Sequence, residues 1–453
     1  MSVSFHKHRR GRQDARRVGL LWRRWRAFRS SLSHAIPLGL HPRRSLIVRV
    51  RRDIRALLAS DLESASRSRA HELARNYLAA DARKRMLFLR VLSREFGPLT
   101  AVNHPSDPPR LIVLRRIAEL PDGLRLMMLL RGDLIDAARG DASMKVVEQE
   151  LHRLLAAYFN IDLLEHRRVT WDSPAPVLEK LIEHEAVHEI RGWDDLRNRL
   201  DIDRRCYALF HPRMPDEPLV FVEIALCNGV AGDIHELLDE SAPVGDPRAA
   251  DTAVFYSISN CHKGLAGTSL GHFLITRAID ELRAELPALK VFVTLSPIPG
   301  FANWLRTALA RDALPILSAQ ERAQLDELRN PKWFDDHAIA DKLRGPLMRL
   351  AACYLLRVRR RDGRRAADAV AHFHLRNGAR IERLNWLADR SEKGMHQSYG
   401  IMVNYRYEPS DLARNSEAYN RDGAIAASCE IEAEADSLKI GGPPDMNVVR
   451  PQS

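Results

Sequence analysis

The sequence predicts a two-domain α+β and α/β protein, an all-helical bundle over residues 53–165 followed by an α/β domain over residues 166–428. Three observations carry this. From Asp53 to Glu165 apolar residues return every three or four positions, as in Leu87-Phe88-Leu89-Arg90-Val91-Leu92 and again in Leu151 through Phe159. After Pro174 short apolar, β-branched runs alternate with amphipathic stretches, the rhythm of strands and helices in turn. The 453 residues, 45% of them hydrophobic, exceed what one ordinary core holds and suit two.

Residues 1–52 read as a basic, disordered leader. Fifteen Lys and Arg stand there against one acid, Asp14, and the rest of the chain has 55 basic and 58 acidic residues. The net charge of +11 therefore belongs to the leader, and the folded body has no basic field for nucleic acid. An Arg-rich, acid-poor start also describes a mitochondrial transit peptide. No run of 18 apolar residues occurs, which argues against a spanning helix or a secretory signal. Five separated cysteines, Cys206, Cys227, Cys261, Cys353 and Cys429, contain no C-x-x-C and suit a reducing cytosol. The chain ends Arg450-Pro451-Gln452-Ser453, so a peroxisomal Ser-Lys-Leu address is not expected.

Within 53–165, Phe96-Gly97-Pro98 stops one helix, Pro105-Ser106-Asp107-Pro108-Pro109 makes a loop and Gly140 separates a further helix pair. Few reactive side chains cluster there, so the bundle is expected to serve packing or contact between subunits. In 166–428, Pro218 through Leu226 reads as a strand and Leu270 to Leu286 as a helix. Residues 429–453 have little to bury and are expected to fray.

Chemistry concentrates in four segments of the second domain. The strand ending in Val293-Thr294-Leu295 delivers Ser296, whose hydroxyl is aimed by Pro297 and Pro299, since proline restricts its own φ and the residue before it. Lys263-Gly264-Leu265-Ala266-Gly267-Thr268-Ser269-Leu270-Gly271 joins a strand to a helix and suits a phosphate cradle built from backbone N–H groups, with Lys263 adding charge. His374 sits near the end of an apolar helix, Ala366 to Arg376, which Asn377-Gly378 closes; His372 lies off its face and reads as structural. Tyr405 and Tyr407 alternate on a strand and share a face. His184-Glu185-Ala186-Val187-His188 matches H-E-x-x-H on a predicted helix, but no third zinc ligand follows, and His184 reads as a chance surface residue.

Taken together, Ala253 to Ser259, Lys263 to Gly271, Val293 to Phe301, Ala371 to Ala379 and Met402 to Tyr407, with Trp171-Asp172-Ser173-Pro174 and Gly192-Trp193-Asp194-Asp195-Leu196, resemble the malonyl-CoA decarboxylase family over roughly Asp53 to Asn420. The resemblance implies an acetyltransferase-like (GNAT-type) catalytic domain behind an N-terminal helical domain. It implies cleavage of malonyl-CoA to acetyl-CoA and CO2 with no cofactor beyond the coenzyme A of the substrate, and no metal. It implies a catalytic Ser296 and His374 with Tyr407 in support, His374 being a charged proton donor. It also implies substrate contacts from Lys263, Gly264, Ala266, Gly267, Thr268, Ser269, Leu270, Gly271, His272 and Asn377. Ser269 stands where animal members have glutamate. A cytoplasmic homo-oligomer joined through its helical domain is the expected state. An acyl-CoA-dependent N-acyltransferase of the same fold, a zinc hydrolase and a non-catalytic helical interaction protein are the competing readings.

Overall fold

The computed structural model describes residues 42–437 apart from 61, 97–107, 312–313 and 315–316. Six helices come first: α1 (Pro42–Leu58), α2 (Glu63–Ala79), α3 (Ala82–Glu95), α4 (Pro109–Ala118), α5 (Gly123–Ala137) and α6 (Ala142–Tyr158). Asp81 and Asp141 start α3 and α6 by accepting backbone N–H groups of the first turn. The central helix is α5, whose Leu124, Leu126, Met127, Met128, Leu130 and Leu134 are all buried, leaving it apolar nearly all round. Helix α1 corrects the leader boundary, because it begins at Pro42, inside residues 1–52. Ile47, Val50, Ile54 and Leu57 recur at helical spacing and pack on the bundle, with the intervening arginines on the other face. Residues 1–41 lie outside the described residues, as do the Gly97-Pro98 stop and most of the loop predicted before Pro109.

The second region opens with β1 (Glu165–Val169), α7 (Ala175–His184), α8 (Trp193–Arg199), β2 (Arg204–His211), β3 (Met214–Cys227), α9 (Ile234–Leu237) and β4 (Thr252–Asn260). It continues through α10 (Leu270–Glu285), β5 (Val291–Thr294), β6 (Ser296–Pro297), α11 (Phe301–Ala310), α12 (Ala319–Leu325) and α13 (His337–Arg357). It closes with α14 (Ala369–Arg376), β7 (Arg380–Asn385), α15 (Glu392–Ser398), β8 (Met402–Arg406), α16 (Leu412–Asp422) and α17 (Cys429–Asp436). The eight strands form one sheet in the order β1-β2-β3-β4-β5-β8-β6, with β7 also on β8. Only β4 and β5 run parallel, paired from Thr252 with Val291 to Phe255 with Thr294, and there they part. Beyond that point β4 runs on to Asn260, while the chain after β5 turns at Leu295 to pair Ser296 with Val403.

One apolar cluster runs without a break from the bundle through α10 and one face of the sheet to α13 and α14, so the two regions share a core. A second cluster, under α7 and α8, fills the other face of β1 to β3. Helix α17 corrects the expected tail, because Ile431 and Ala435 are buried in the shared core; residues 438–453 lie outside the described residues.

Candidate active site

Two adjacent parallel strands diverge at the end of β5, and each hands the chain to a candidate segment: β4, five residues further on, to the glycine loop, and β5 to Ser296. The carboxyl ends of such strands are where open α/β sheets bind ligands, because loops rather than ladder partners meet there. Helix α14 crosses this end and brings in His374. Its start is held by Asp368, whose carboxylate accepts from Val370 and Ala371 N–H and, across the chain, from Gly300 N–H at 2.9 Å. One buried side chain thus fixes the histidine helix against the serine loop. At the other end Gly378 N–H bonds Leu375 O and Ala379 N–H bonds His374 O, the Schellman pattern that Asn377-Gly378 predicts, with Gly378 at φ +87°. The helix is shorter than predicted, beginning at Ala369 rather than Ala366, because Asp368 caps it there.

These elements bring Ser296, His374 and Tyr407 into contact. Ser296 Oγ lies 3.3 Å from His374 Nε2, and Tyr407 OH lies 2.8 Å from His374 Nδ1. Tyr405 of β8, two residues before Tyr407, which follows the end of that strand, stacks on the imidazole with ring centroids 4.4 Å apart. Ser296 Oγ donates to Thr294 Oγ1 at 2.8 Å, and Thr294 Oγ1 also accepts from Tyr405 N–H. With the serine proton committed to Thr294, its lone pairs face Nε2. The network therefore assigns the imidazole proton to Nε2 and makes Tyr407 the donor to Nδ1.

His374 is 2% exposed and Tyr407 1%. Burial alone, with no charged neighbour contributing, pushes His374 down to about 3, so its imidazole is neutral in the free protein. A charged donor at this position therefore needs a counter-ion, and no charged group among the described residues contributes one. Burial likewise raises the Tyr407 phenol far above its ordinary value, opposed only by the neighbouring Asn377 side chain. Asn377 is itself buried, with an Nδ2 that finds no acceptor among the described residues, and so belongs to this pocket.

The loop between β4 and α10 departs from expectation in two respects. Gly264 is buried against the bundle, where a Cβ would stand 2.0 Å from Met128 O of α5, so it is required for packing rather than for a ligand. Lys263 Nζ lies 2.5 Å from Asp136 of α5 in an exposed pair, so a phosphate would share the lysine with that carboxylate. The remaining features suit an anion. Gly267 has φ +79° with open space around its Cα, and Thr268 Oγ1 ties the turn to Leu265 O at 2.7 Å. Ser269 leads into α10 without a side-chain cap, and the first turn carries no acid. The N–H groups of Gly267, Ser269, Leu270, Gly271 and His272 find no acceptor among the described residues. A Cβ on Gly271 would come 3.1 Å from Phe373, so α10 begins directly beside the histidine helix. Leu270 and Gly271 are buried, the leucine side chain in the core, and offer a ligand only backbone, while Ala266, Gly267 and Ser269 are exposed.

Sequence reasoning missed Thr294, Asp368 and Arg376. The first two sit beside the motifs but act through contacts with distant segments. Arg376, in the last turn of α14, has a guanidinium with no ion-pair partner among the described residues, and its charge contributes to lowering His272 after burial. It places a further cation beside the first turn of α10.

The H-E-x-x-H segment is not helical. Helix α7 ends at His184, and Glu185 turns away to accept from Val187 N–H, His188 N–H and the hydroxyls of Ser257 and Ser259. The one-face geometry that two zinc-bound imidazoles need is therefore lost. His184 is half-buried beside His262, not on the surface as expected. Among the described residues, no three His, Cys, Asp or Glu side chains group to hold a metal. His372 bonds Tyr419 OH through Nδ1 at 2.8 Å, away from the trio.

Comparison with known proteins gives one answer along the chain. Residues 162–441 match the profile described as malonyl-CoA decarboxylase C-terminal domain, and residues 92–159 that of the N-terminal domain. The mitochondrial malonyl-CoA decarboxylase of the goose Anser anser anser is 36% identical over 380 residues, 78% of this chain and 75% of that protein. The Rattus norvegicus enzyme is 37% identical over 347 residues, 70% of this chain and 69% of that protein. The crystal structure of malonyl-CoA decarboxylase from Rhodopseudomonas palustris superposes with TM-score 0.80 at 39% identity, covering 85% of this chain and 99% of that one. That from Agrobacterium vitis gives 0.80 at 40%, with the same coverage.

Proposed function

The chain belongs to the malonyl-CoA decarboxylase family and is a carboxy-lyase, and from that premise we propose that Ser296, His374 and Tyr407 convert malonyl-CoA to acetyl-CoA and CO2. The observation that carries the reading is the meeting of three distant segments on one imidazole, Ser296 at 3.3 Å and Tyr407 at 2.8 Å.

In this mechanism the malonyl carboxylate sits against Ser296 and the Nε2 side of His374. Its negative charge enters a pocket whose polar groups are neutral. A buried anion favours the charged form of an adjacent imidazole, so His374 takes up a proton as the substrate binds, and the substrate acts as its counter-ion. The bond between C2 and the carboxylate then breaks, its electron pair passing into the thioester as an enolate while CO2 leaves. The dry surroundings favour this step because a localised carboxylate charge is replaced by a dispersed one. Nε2 returns its proton to C2, and the neutral imidazole no longer attracts the product. Net consumption is one proton, as the stoichiometry requires. Tyr407 keeps the ring oriented: it donates to Nδ1 in the free protein, where Nε2 holds the proton, and accepts from Nδ1–H once the imidazole has taken up its second proton and until the starting tautomer is restored. The thioester itself accepts the electrons, so the reading needs no cofactor and no metal.

Coenzyme A enters through residues 263–272, its pyrophosphate on the free N–H groups at the start of α10 and beside Arg376. Incubation with malonyl-CoA and no acyl acceptor tests the whole reading. Acetyl-CoA and CO2 in equal amounts are expected, and a folded His374→Asn protein that released CO2 at the parent rate would refute the assignment.

Among the described residues no helix is long and apolar enough to cross a membrane. A reducing cytosol is the compartment we favour, on the five free cysteines, with a mitochondrial address in residues 1–41 as the alternative; fractionation separates them. Self-association through the bundle is supported by its exposed Val48, Leu62 and Val146. Sedimentation equilibrium giving a monomer at micromolar concentration would exclude it.

A further inference from the structure

The bundle does more than pack against the sheet domain, because it reaches into the loop that precedes α10. Arg131 of α5 is 5% exposed. Its Nη1 donates to Gly264 O at 2.6 Å and to Ala266 O at 2.8 Å, while Nε donates to Glu148 of α6 at 3.0 Å. Both captured carbonyls belong to the segment that ends at Gly267. In a trans peptide the C=O and N–H point in opposite directions. Turning the Ala266 carbonyl toward Arg131 therefore turns the Gly267 N–H away from the bundle, to the side where the α10 N–H groups are also unpaired. The contact is close at both glycines it meets: Gly264 has room for no Cβ against Met128 O, and a Cβ on Gly132 would already touch Lys263 Cβ at 3.6 Å and Gly264 N at 3.7 Å. Lys263 and Asp136 close the flank.

We infer that Arg131 is a positioning residue for coenzyme A, setting the loop so that its backbone donors meet the pyrophosphate, and that the helical domain is thereby part of the substrate site. This rests on residues 263–272 being the pyrophosphate loop. Of the two peptides so held, one has its Leu265 N–H already bonded to His262 O, while the Gly267 N–H of the other has no acceptor among the described residues; the cation fixes that donor before the ligand arrives, so the ligand does not have to order it. Arg131 touches neither the acyl group nor the trio, so its loss should be felt in binding of the carrier and not in the chemical step.

The test compares Arg131→Met and Arg131→Lys with the parent, on malonyl-CoA and on malonyl-pantetheine, which has the same acyl thioester but no pyrophosphate. Arg131→Met should raise KM for malonyl-CoA roughly tenfold or more while kcat at saturation moves by less than about twofold. On malonyl-pantetheine the variant and the parent should have the same kcat/KM. Arg131→Lys, keeping the charge but one donor direction, should fall between, and it carries the test alone if the methionine variant does not fold. Arg110→Met is the control: it removes another buried arginine of the bundle, paired with Glu150 at 2.6 Å, and should lower Tm without altering KM. Equal losses on both substrates, or a fall in kcat with KM unchanged, would overturn the proposal. Gly267→Asp separates the two readings. Unchanged coenzyme A affinity in that variant removes the pyrophosphate loop itself. Weakened affinity there, with Arg131→Met indistinguishable from the parent, removes only the role of Arg131.

Discussion

The acyl end and the carrier end of the proposed site are built by opposite means. Around His374 the working groups are side chains, buried, mutually hydrogen-bonded and uncharged in the free protein. Around Gly267 they are backbone N–H groups on a largely exposed turn, with the nearby cations at its edges. The difference follows from the two ligand groups. A malonyl carboxylate must be stripped of water to lose CO2, and a dry pocket does that. A pyrophosphate only has to be held, and a helix terminus does so without burying charge.

The most forceful way to break this contrast is to disable one end and look for damage at the other. His374→Asn should lower kcat by roughly 10²- to 10⁴-fold, the range for loss of a proton donor, while coenzyme A binds as before. Adding Ser296→Ala should cost little more if both residues act on one carboxylate, so a fully additive double variant would separate them. Calorimetry with coenzyme A and turnover with malonyl-CoA read the two ends independently.

Acid sharpens the contrast next. His374 has an ordinary value of 6.5 in an unfolded chain and about 3 in the fold. The unfolded chain binds the extra proton, so stability from this group is complete above about pH 6.5 and is lost as pH falls toward 3. His184, His188 and His372, each pushed to about 4 chiefly by burial, act in the same direction and overlap this window. Tm measured from pH 7 to pH 4 should fall steadily, and a folded His374→Asn protein should show a shallower slope. An identical slope in the variant would mean that the fold tolerates a charged His374.

At the carrier end, Gly267→Asp should weaken coenzyme A binding by roughly 10- to 100-fold, because the side chain meets a φ of +79° and sets a negative charge where phosphate approaches. Saturating malonyl-CoA should restore most of kcat. The smallest effects divide the two cations. Arg376→Gln should raise KM by about three- to tenfold, as a cation with no ion-pair partner among the described residues is lost beside the helix start, while Lys263→Gln should change it less than about twofold because its exposed ammonium is shared with Asp136. The reverse order would return the phosphate charge to Lys263.

The sequence by itself determined the two-domain order, the strand that ends at Ser296, the helix that carries His374 and its Asn377-Gly378 stop, and the shared face of Tyr405 and Tyr407. Each of these is written in residues a few positions apart, through apolar period, proline restriction or glycine at positive φ. The same local reading overshot where a pattern had a second meaning. Arginines mask the start of the apolar row Ile47, Val50, Ile54 and Leu57, so the sequence places the first helix only as far back as Asp53 and assigns its residues 42–52 to the leader. H-E-x-x-H implied a helix that in fact ends at its first histidine, because Glu185 prefers two N–H groups and two serines. Only tertiary structure decided the rest. Whether His374 is charged depends on what surrounds it in three dimensions, and no neighbour in sequence reveals that every surrounding group is neutral. Whether Lys263 is free, why Gly264 must be glycine and how the Ala266 carbonyl points are decided by Asp136, Met128 and Arg131, more than a hundred residues earlier in the chain, through contacts that exist only once the two regions share a core.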